Sequence, residues 1–336
     1  MPRLVLVIWV CVFISGCGAE PGDGDAVTQD AQEPGRPECI APSKPGGGFD
    51  LTCKLAQKGL MELGLLSKPM RISYQPGGIG AVAYNTVVAQ RPDDANLIVA
   101  FSGGSLLNLA QGKFGRYSEN DVRWLAAEGI DYGMIAVRED SPFPDLPALI
   151  SALQVDPKAV VFGAGGTVGS QDWMKSAVIA RAAGIDYRAM RYVPFEGGGE
   201  AQTALLGGHI QAYSGDISEA QGLLESGHIR VLAVMSEERL PAPFSEIPTA
   251  KEQGHDFNWP ILRGFYVGPQ VSDAEYDWWV KSFDSLMASP RFDEMRVEFG
   301  MFPFAKTGAE LDEFIKERMV HYRELVDEFD LNSGNQ

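Results

Sequence analysis

Glycine triplets joined to acidic residues offer the clearest chemistry in this sequence. Pro45-Gly46-Gly47-Gly48-Phe49-Asp50 follows the short apolar run Cys39-Ile40-Ala41, and Glu196-Gly197-Gly198-Gly199-Glu200 lies between Tyr192-Val193-Pro194 and Ala204-Leu205-Leu206. Consecutive glycines leave backbone N–H groups unscreened by Cβ. Where such a loop opens a helix, the unpaired N–H groups and the helix dipole make an anion site. Two such loops far apart in the chain predict an anion gripped from two sides. Asp50 is expected at the helix N-cap, turning the N–H groups of Gly46, Gly47 and Gly48 outward. The plain alternative is a tight turn with no ligand.

Further loops repeat the pattern. Pro76-Gly77-Gly78-Ile79-Gly80 also runs from strand through glycine to helix. Phe101-Ser102-Gly103-Gly104-Ser105 offers the hydroxyls of Ser102 and Ser105 as donors to a carboxylate. Gly163-Ala164-Gly165-Gly166-Thr167-Val168-Gly169-Ser170 fails the dinucleotide fingerprint, which needs glycine where Val168 stands, and has no P-loop lysine. It reads as a hydroxyl-and-amide cradle from Thr167 and Ser170. Asp216 either caps a helix or accepts from a ligand hydroxyl. His209, His228, His255 and His321 are scattered, with no HExxH pair and no G-x-S-x-G elbow. No catalytic residue, metal or organic cofactor is expected.

These loops must be held by a scaffold. Strands are predicted at Arg71–Tyr74, Leu97–Phe101, Met134–Val137, Val160–Phe162, Ile210–Tyr213 and Ile229–Val234. Helical patterns fall between them at Leu51–Leu63, Ala81–Ala89, Leu146–Leu153, Gln171–Ala183 and Glu200–Leu206. Alternation of this kind predicts parallel sheets in an α/β fold. Ligands bind at the carboxyl ends of such strands, where nearly every glycine- or serine-rich loop falls. Asp273–Phe292 and Gly308–Phe329 read as amphipathic helices, the second with an apolar stripe of Leu311, Phe314, Ile315 and Met319.

The ends and composition bound the setting. An apolar run from Leu4 to Ile14 follows Met1-Pro2-Arg3. At about a dozen residues it is too short to span a bilayer and suits a secretory signal over residues 1–16. Ile14-Ser15-Gly16-Cys17 looks like a lipobox in which Cys17 receives lipid; the alternative is an ordinary signal peptide containing a cysteine. Of four cysteines, that leaves Cys39 and Cys53, either a disulfide in an oxidising compartment or two buried thiols. Residues 17–37 read as a disordered tether of roughly 25 Å average reach. The 336 residues suggest two domains, and a net charge of −17 argues against nucleic acid or anionic lipid as a partner.

Taken in order, the loops resemble the solute-binding component of tripartite tricarboxylate transporters, the TctC or Bug type. The matching residues are Ala41-Pro42, Pro45-Gly46-Gly47-Gly48 and Asp50, then Pro76 to Gly80, Tyr192 to Phe195 with Gly197, and Leu205 to Ile210. Arg230 to Val234, Arg239, Ile247-Pro248-Thr249, Glu252 and Gly254 complete them. The resemblance implies a periplasmic binding protein-like (type II) clamshell of two α/β domains, the first discontinuous: residues 38–137 with 247–330, and 138–246. It implies hinge crossings near Val137-Arg138 and Ser236–Ile247. It places Gly47, Gly48, Asp50, Gly77 and Gly78 at a ligand carboxylate, and Ser102, Thr167, Ser170 and Asp216 along the cleft. Arg263 departs from the family's more frequent aromatic residue; it either pairs with an additional ligand carboxylate or forms a surface or interdomain ion pair. The resemblance implies a monomeric periplasmic receptor, and the lipobox at Cys17 adds a lipid anchor that departs from the freely soluble form common in the family. The implied receptor carries a small carboxylate, citrate foremost, to permease subunits and contacts the membrane only through its anchor. A carboxylate sensor and a carboxylate-acting enzyme are the rival readings.

Overall fold

The computed structural model describes residues 33–331, which belong to one compact body. The signal segment, Cys17 and all but the last residues of the tether lie outside the described residues. In chain order the elements are β1 (Glu38–Ala41), α1 (Gly48–Glu62), β2 (Arg71–Tyr74), α2 (Ala81–Gln90), β3 (Leu97–Ser102), α3 (Gly103–Ala110), β4 (Arg123–Arg138), α4 (Leu146–Val155), β5 (Val161–Gly165) and α5 (Gln171–Ala182). They continue with β6 (Arg191–Phe195), α6 (Gly198–Leu206), β7 (Ala212–Asp216), α7 (Ile217–Glu225), β8 (Ile229–Val234), β9 (Pro260–Val267), α8 (Asp273–Met287), α9 (Pro290–Glu298), β10 (Lys306–Thr307) and α10 (Gly308–Glu328).

All strands join one sheet, but it is mixed rather than parallel. β1 pairs in parallel with β2 and β3, and β5 in parallel with β6 and β7. Between these groups stand β9 and β4, antiparallel to their neighbours. The cause is the 16-residue β4, which serves both groups. Its first part pairs with β9 and β10, and from Gly133 onward it pairs with β7 and β8. The chain returns alongside it: Trp259 N–H donates to Met235 O at 2.8 Å, and Gly133 N–H donates to Trp259 O at 3.0 Å.

The sequence accounts for most of these elements. β3 is buried along its whole length, as its continuous Leu-Ile-Val-Ala-Phe run requires of a strand covered on both faces. α10 buries Leu311, Ile315, Met319, Tyr322 and Val326, a stripe at helical spacing. The predicted helix from Asp273 to Phe292 is two helices, broken at Ser289-Pro290, since proline cannot continue an α-helix. β6 contains Pro194 and lies at the sheet edge, where a missing N–H is tolerated. Cys39 on β1 and Cys53 on α1 form a disulfide, Cα–Cα 5.9 Å, that ties the strand entering the first glycine loop to the helix leaving it.

Candidate functional site

Loops at the carboxyl ends of six strands, three from each parallel group, line one cavity of about 320 Å³. From the first group come Gly47 and Gly48 after β1, Gly77 and Gly78 after β2, and Ser102 at the end of β3. From the second come Gly166 and Thr167 after β5, Gly197 and Gly198 after β6, and Asp216 at the end of β7.

The two glycine triplets meet. A Cβ at Gly46 would stand 3.7 Å from Gly199 Cα, and Lys44 beside the first triplet pairs with Glu200 beside the second at 2.5 Å. The first turns of α1 and α6 therefore face one another. The acid between them belongs to the protein itself. Glu219, in the first turn of α7, accepts from Gly48 N–H at 2.7 Å through Oε1, and Tyr213 hydroxyl bonds its Oε2. A Cβ on Gly198 would overlap both the Glu219 carboxylate and the Tyr213 hydroxyl.

Arg263 closes the floor. Its guanidinium pairs with Asp131 at 2.9 Å and with Asp216. Lys175, fully buried on α5, pairs with Asp216 at 2.6 Å and Asp172 at 2.8 Å. Burial would raise Asp216, but Lys175 and then Arg263 outweigh it and hold the carboxyl below its usual range. Asp131 goes the other way: burial pushes it up more than Arg263 pulls it down. Burial, then Asp216 and Asp172, push Glu219 up to about 8. A Cβ on Gly48 would overlap the Arg263 guanidinium, so glycine at this position admits the arginine to the loop.

The residues expected at the site divide by position. Gly47, Gly48, Gly77, Gly78, Ser102, Thr167, Asp216 and Arg263 line the cavity; Gly46, Asp50, Ser105 and Ser170 do not. Asp50 is fully buried and is the third residue of α1, not its cap, which is Gly47. Its carboxylate reaches back to Gly46 N–H at 2.8 Å, and also accepts from Lys54 Nζ at 2.7 Å and Tyr74 hydroxyl at 2.9 Å. It shapes the loop from behind, as an acid at the third helical position does in a capping box. Ser102 and Ser105 form such a box at the start of α3, and Ser170 caps α5 through Trp173 N–H. Asp216 holds the cap position of α7, but its side chain goes to Lys175 and Arg263 rather than to the helix.

Asp131, Asp172, Lys175 and Glu219 were not expected at the site. Asp131 reads as a loop residue until its burial on β4 is known, and Asp172 and Lys175 stand three apart on α5 among other polar residues (Gln171, Ser176 and Arg181). Glu219 carried no signal, since Asp216-x-x-Glu219 looks like ordinary helix-start chemistry. Among the described residues, no cluster is arranged to hold a metal ion and no helix is long and apolar enough to cross a membrane.

Comparison with known proteins agrees with this architecture. The chain is 27% identical over 262 residues to protein BugT of Bordetella pertussis, covering 76% of this chain and 75% of that one. Its fold matches malate-bound MatC from Rhodopseudomonas palustris at TM-score 0.76 and 20% identity, covering 87% and 98% of the two chains. An adipate-bound R. palustris protein matches at TM-score 0.76 and 17% identity, covering 88% and 97%. The fold is thus that of the periplasmic binding proteins. Residues 53–331 match the family described as the tripartite tricarboxylate transporter family receptor. The chain belongs to that family, the TctC/Bug solute-binding receptors, whose members are receptors and not enzymes.

Proposed function

We propose that this protein is an extracytoplasmic receptor that captures a small carboxylate in the cavity between its two glycine loops and delivers it to a tripartite permease. One observation carries the reading: helix starts from the two strand groups face each other, and the carboxyl group of Glu219 already accepts an N–H between them. Backbone donors in such a partly enclosed cleft bind carboxylates as a class. Malate and adipate, the ligands named for two structural neighbours, are dicarboxylates; citrate belongs in the same test. We place the hinge in β4 at Tyr132-Gly133 and in the return segment Met235–Trp259, where the sheet changes partners. This sets the first crossing a few residues before Val137. Ligand contacts to both lobes would stabilise the closed form. Cys17 lipidation would hold the monomeric receptor at a membrane surface on the periplasmic side.

Calorimetry of the purified mature protein against di-, tri- and aromatic carboxylates and amino acids tests the reading. It predicts saturable one-site binding of at least one acid, recovered chemically unchanged. Absence of binding across the panel would overturn it.

A further inference from the structure

The charge inside the cavity is the wrong sign for a polyanion. Arg263 is taken by Asp131 and Asp216, and Lys175 is shared by Asp172 and Asp216. These five groups carry three negative charges against two positive. Glu219 adds a further carboxyl that pairs with no lysine or arginine among the described residues; its partners are Gly48 N–H and the Tyr213 hydroxyl. Burial first and neighbouring carboxylates next push Glu219 up to about 8. Burial, incompletely countered by Lys175, pushes Asp172 up to about 6. Both line the cavity.

Two neutral side chains give an independent sign. Gln171 lines the cavity at 6% exposure, yet its amide makes no hydrogen bond within the described residues. Asn108, 3% exposed and also lining, donates to Gly78 O at 3.2 Å, while its Oδ1 has no partner. A buried acceptor left unpaired costs about 1–3 kcal/mol, which a donor on a ligand relieves. Lys113 also lines the cavity; it donates to Val168 O at 3.1 Å and pairs with no carboxylate among the described residues.

We propose that the cavity receives a small acid that also bears an ammonium group, with its carboxylate toward Lys113, Thr167 and Gly77-Gly78 and its ammonium toward Glu219 and Asp172. The inference rests on the carboxylate-receptor reading and narrows its ligand class. A tricarboxylate brings negative charge to Asp172, where like charges in a low-dielectric site repel, and offers no cation to stabilise the ionised form of Glu219. An amino acid of similar size supplies the missing cation and a donor for Asn108 Oδ1.

The test is calorimetry on the mature protein with matched probes differing only in the amino group: L-aspartate against succinate, and 4-aminobutyrate against butyrate, with citrate alongside. The amino member of at least one pair should bind at least tenfold tighter than its partner. Glu219→Gln and Asp172→Asn, each confirmed folded by circular dichroism, should cut that preference to threefold or less. A preference below tenfold in both pairs, or citrate binding as tightly as the better amino member, would overturn the inference and leave the receptor reading intact. So would a preference that survives both substitutions. No binding by any probe would overturn the inference, and the receptor reading falls with it only if the wider carboxylate panel also fails to bind.

Discussion

Arg263→Met places a definite load on the centre of this molecule. The guanidinium is 2% exposed and lies between Asp131, which is fully buried, and Asp216, which is 3% exposed. Its removal leaves the buried Asp131 and Asp216 and the partly buried Asp172 with Lys175 alone. Breaking a buried pair on one side costs about 3–5 kcal/mol, because the partner's charge stays desolvated. Proton uptake sets the ceiling. Asp131 already sits above its ordinary value through burial, with Arg263 holding it down, so in the variant it takes up a proton. Keeping an aspartate neutral at pH 7, against an unfolded value of about 3.9, costs about 4 kcal/mol. At pH 5 the same sum is about 1.5 kcal/mol. An acid with a raised folded-state value loses stability as pH climbs past its unfolded value, so the penalty must grow from pH 5 to pH 7. Urea unfolding of both proteins at the two pH values reads it directly. A loss below about 1 kcal/mol at pH 7 would refute this account of the ion cluster, and so would a loss no smaller at pH 5.

Glu219 gives a second pH signature. Its folded-state pKa of about 8 lies above the ordinary 4.5, so folding favours its protonated form and stability is lost as pH rises from 4.5 through 8. The groups facing it are Tyr213, Asp216, Asp172 and Arg263. Glu219→Gln should therefore gain melting temperature relative to the parent at pH 8 and much less at pH 5; an equal offset at both would contradict the assignment. The Cys39–Cys53 bridge spans 14 residues of sequence, and closing a loop of that size contributes about 3 kcal/mol. Cys39→Ala/Cys53→Ala should lower the urea midpoint accordingly, and an unchanged midpoint would show that the bridge does not constrain the unfolded chain.

The sequence made the loops legible and left the ion cluster hidden, for a physical reason. Glycine triplets, Gly77-Gly78 and the hydroxyl cradle are local signals, and each sits at a strand end facing the cavity or immediately behind its wall. Arg263, Asp131, Asp172 and Lys175 come from β9, β4 and α5, and only tertiary pairing brings them together. β9 itself went unpredicted. Its Pro-Ile-Leu-Arg-Gly-Phe-Tyr-Val sequence opens on proline and breaks at Arg263-Gly264, and it becomes a strand because β3 and β4 pair with it on both sides. Gly264 fits there because a Cβ would strike Ala126 O. The first part of β4 was likewise disguised by Glu128, Gly129 and Asp131, which read as loop residues until burial is known. α3 was read as a loop because it opens on Gly103-Gly104; the Ser102–Ser105 box supplies the start that glycine does not.

Determining the structure of the protein with its tightest-binding acid tests the central claim most directly. The account predicts the acid in the cavity, contacting the Gly77-Gly78 loop of one strand group and Thr167 of the other, with Glu219 alongside. An acid bound elsewhere while this cavity stays filled by side chains would contradict it.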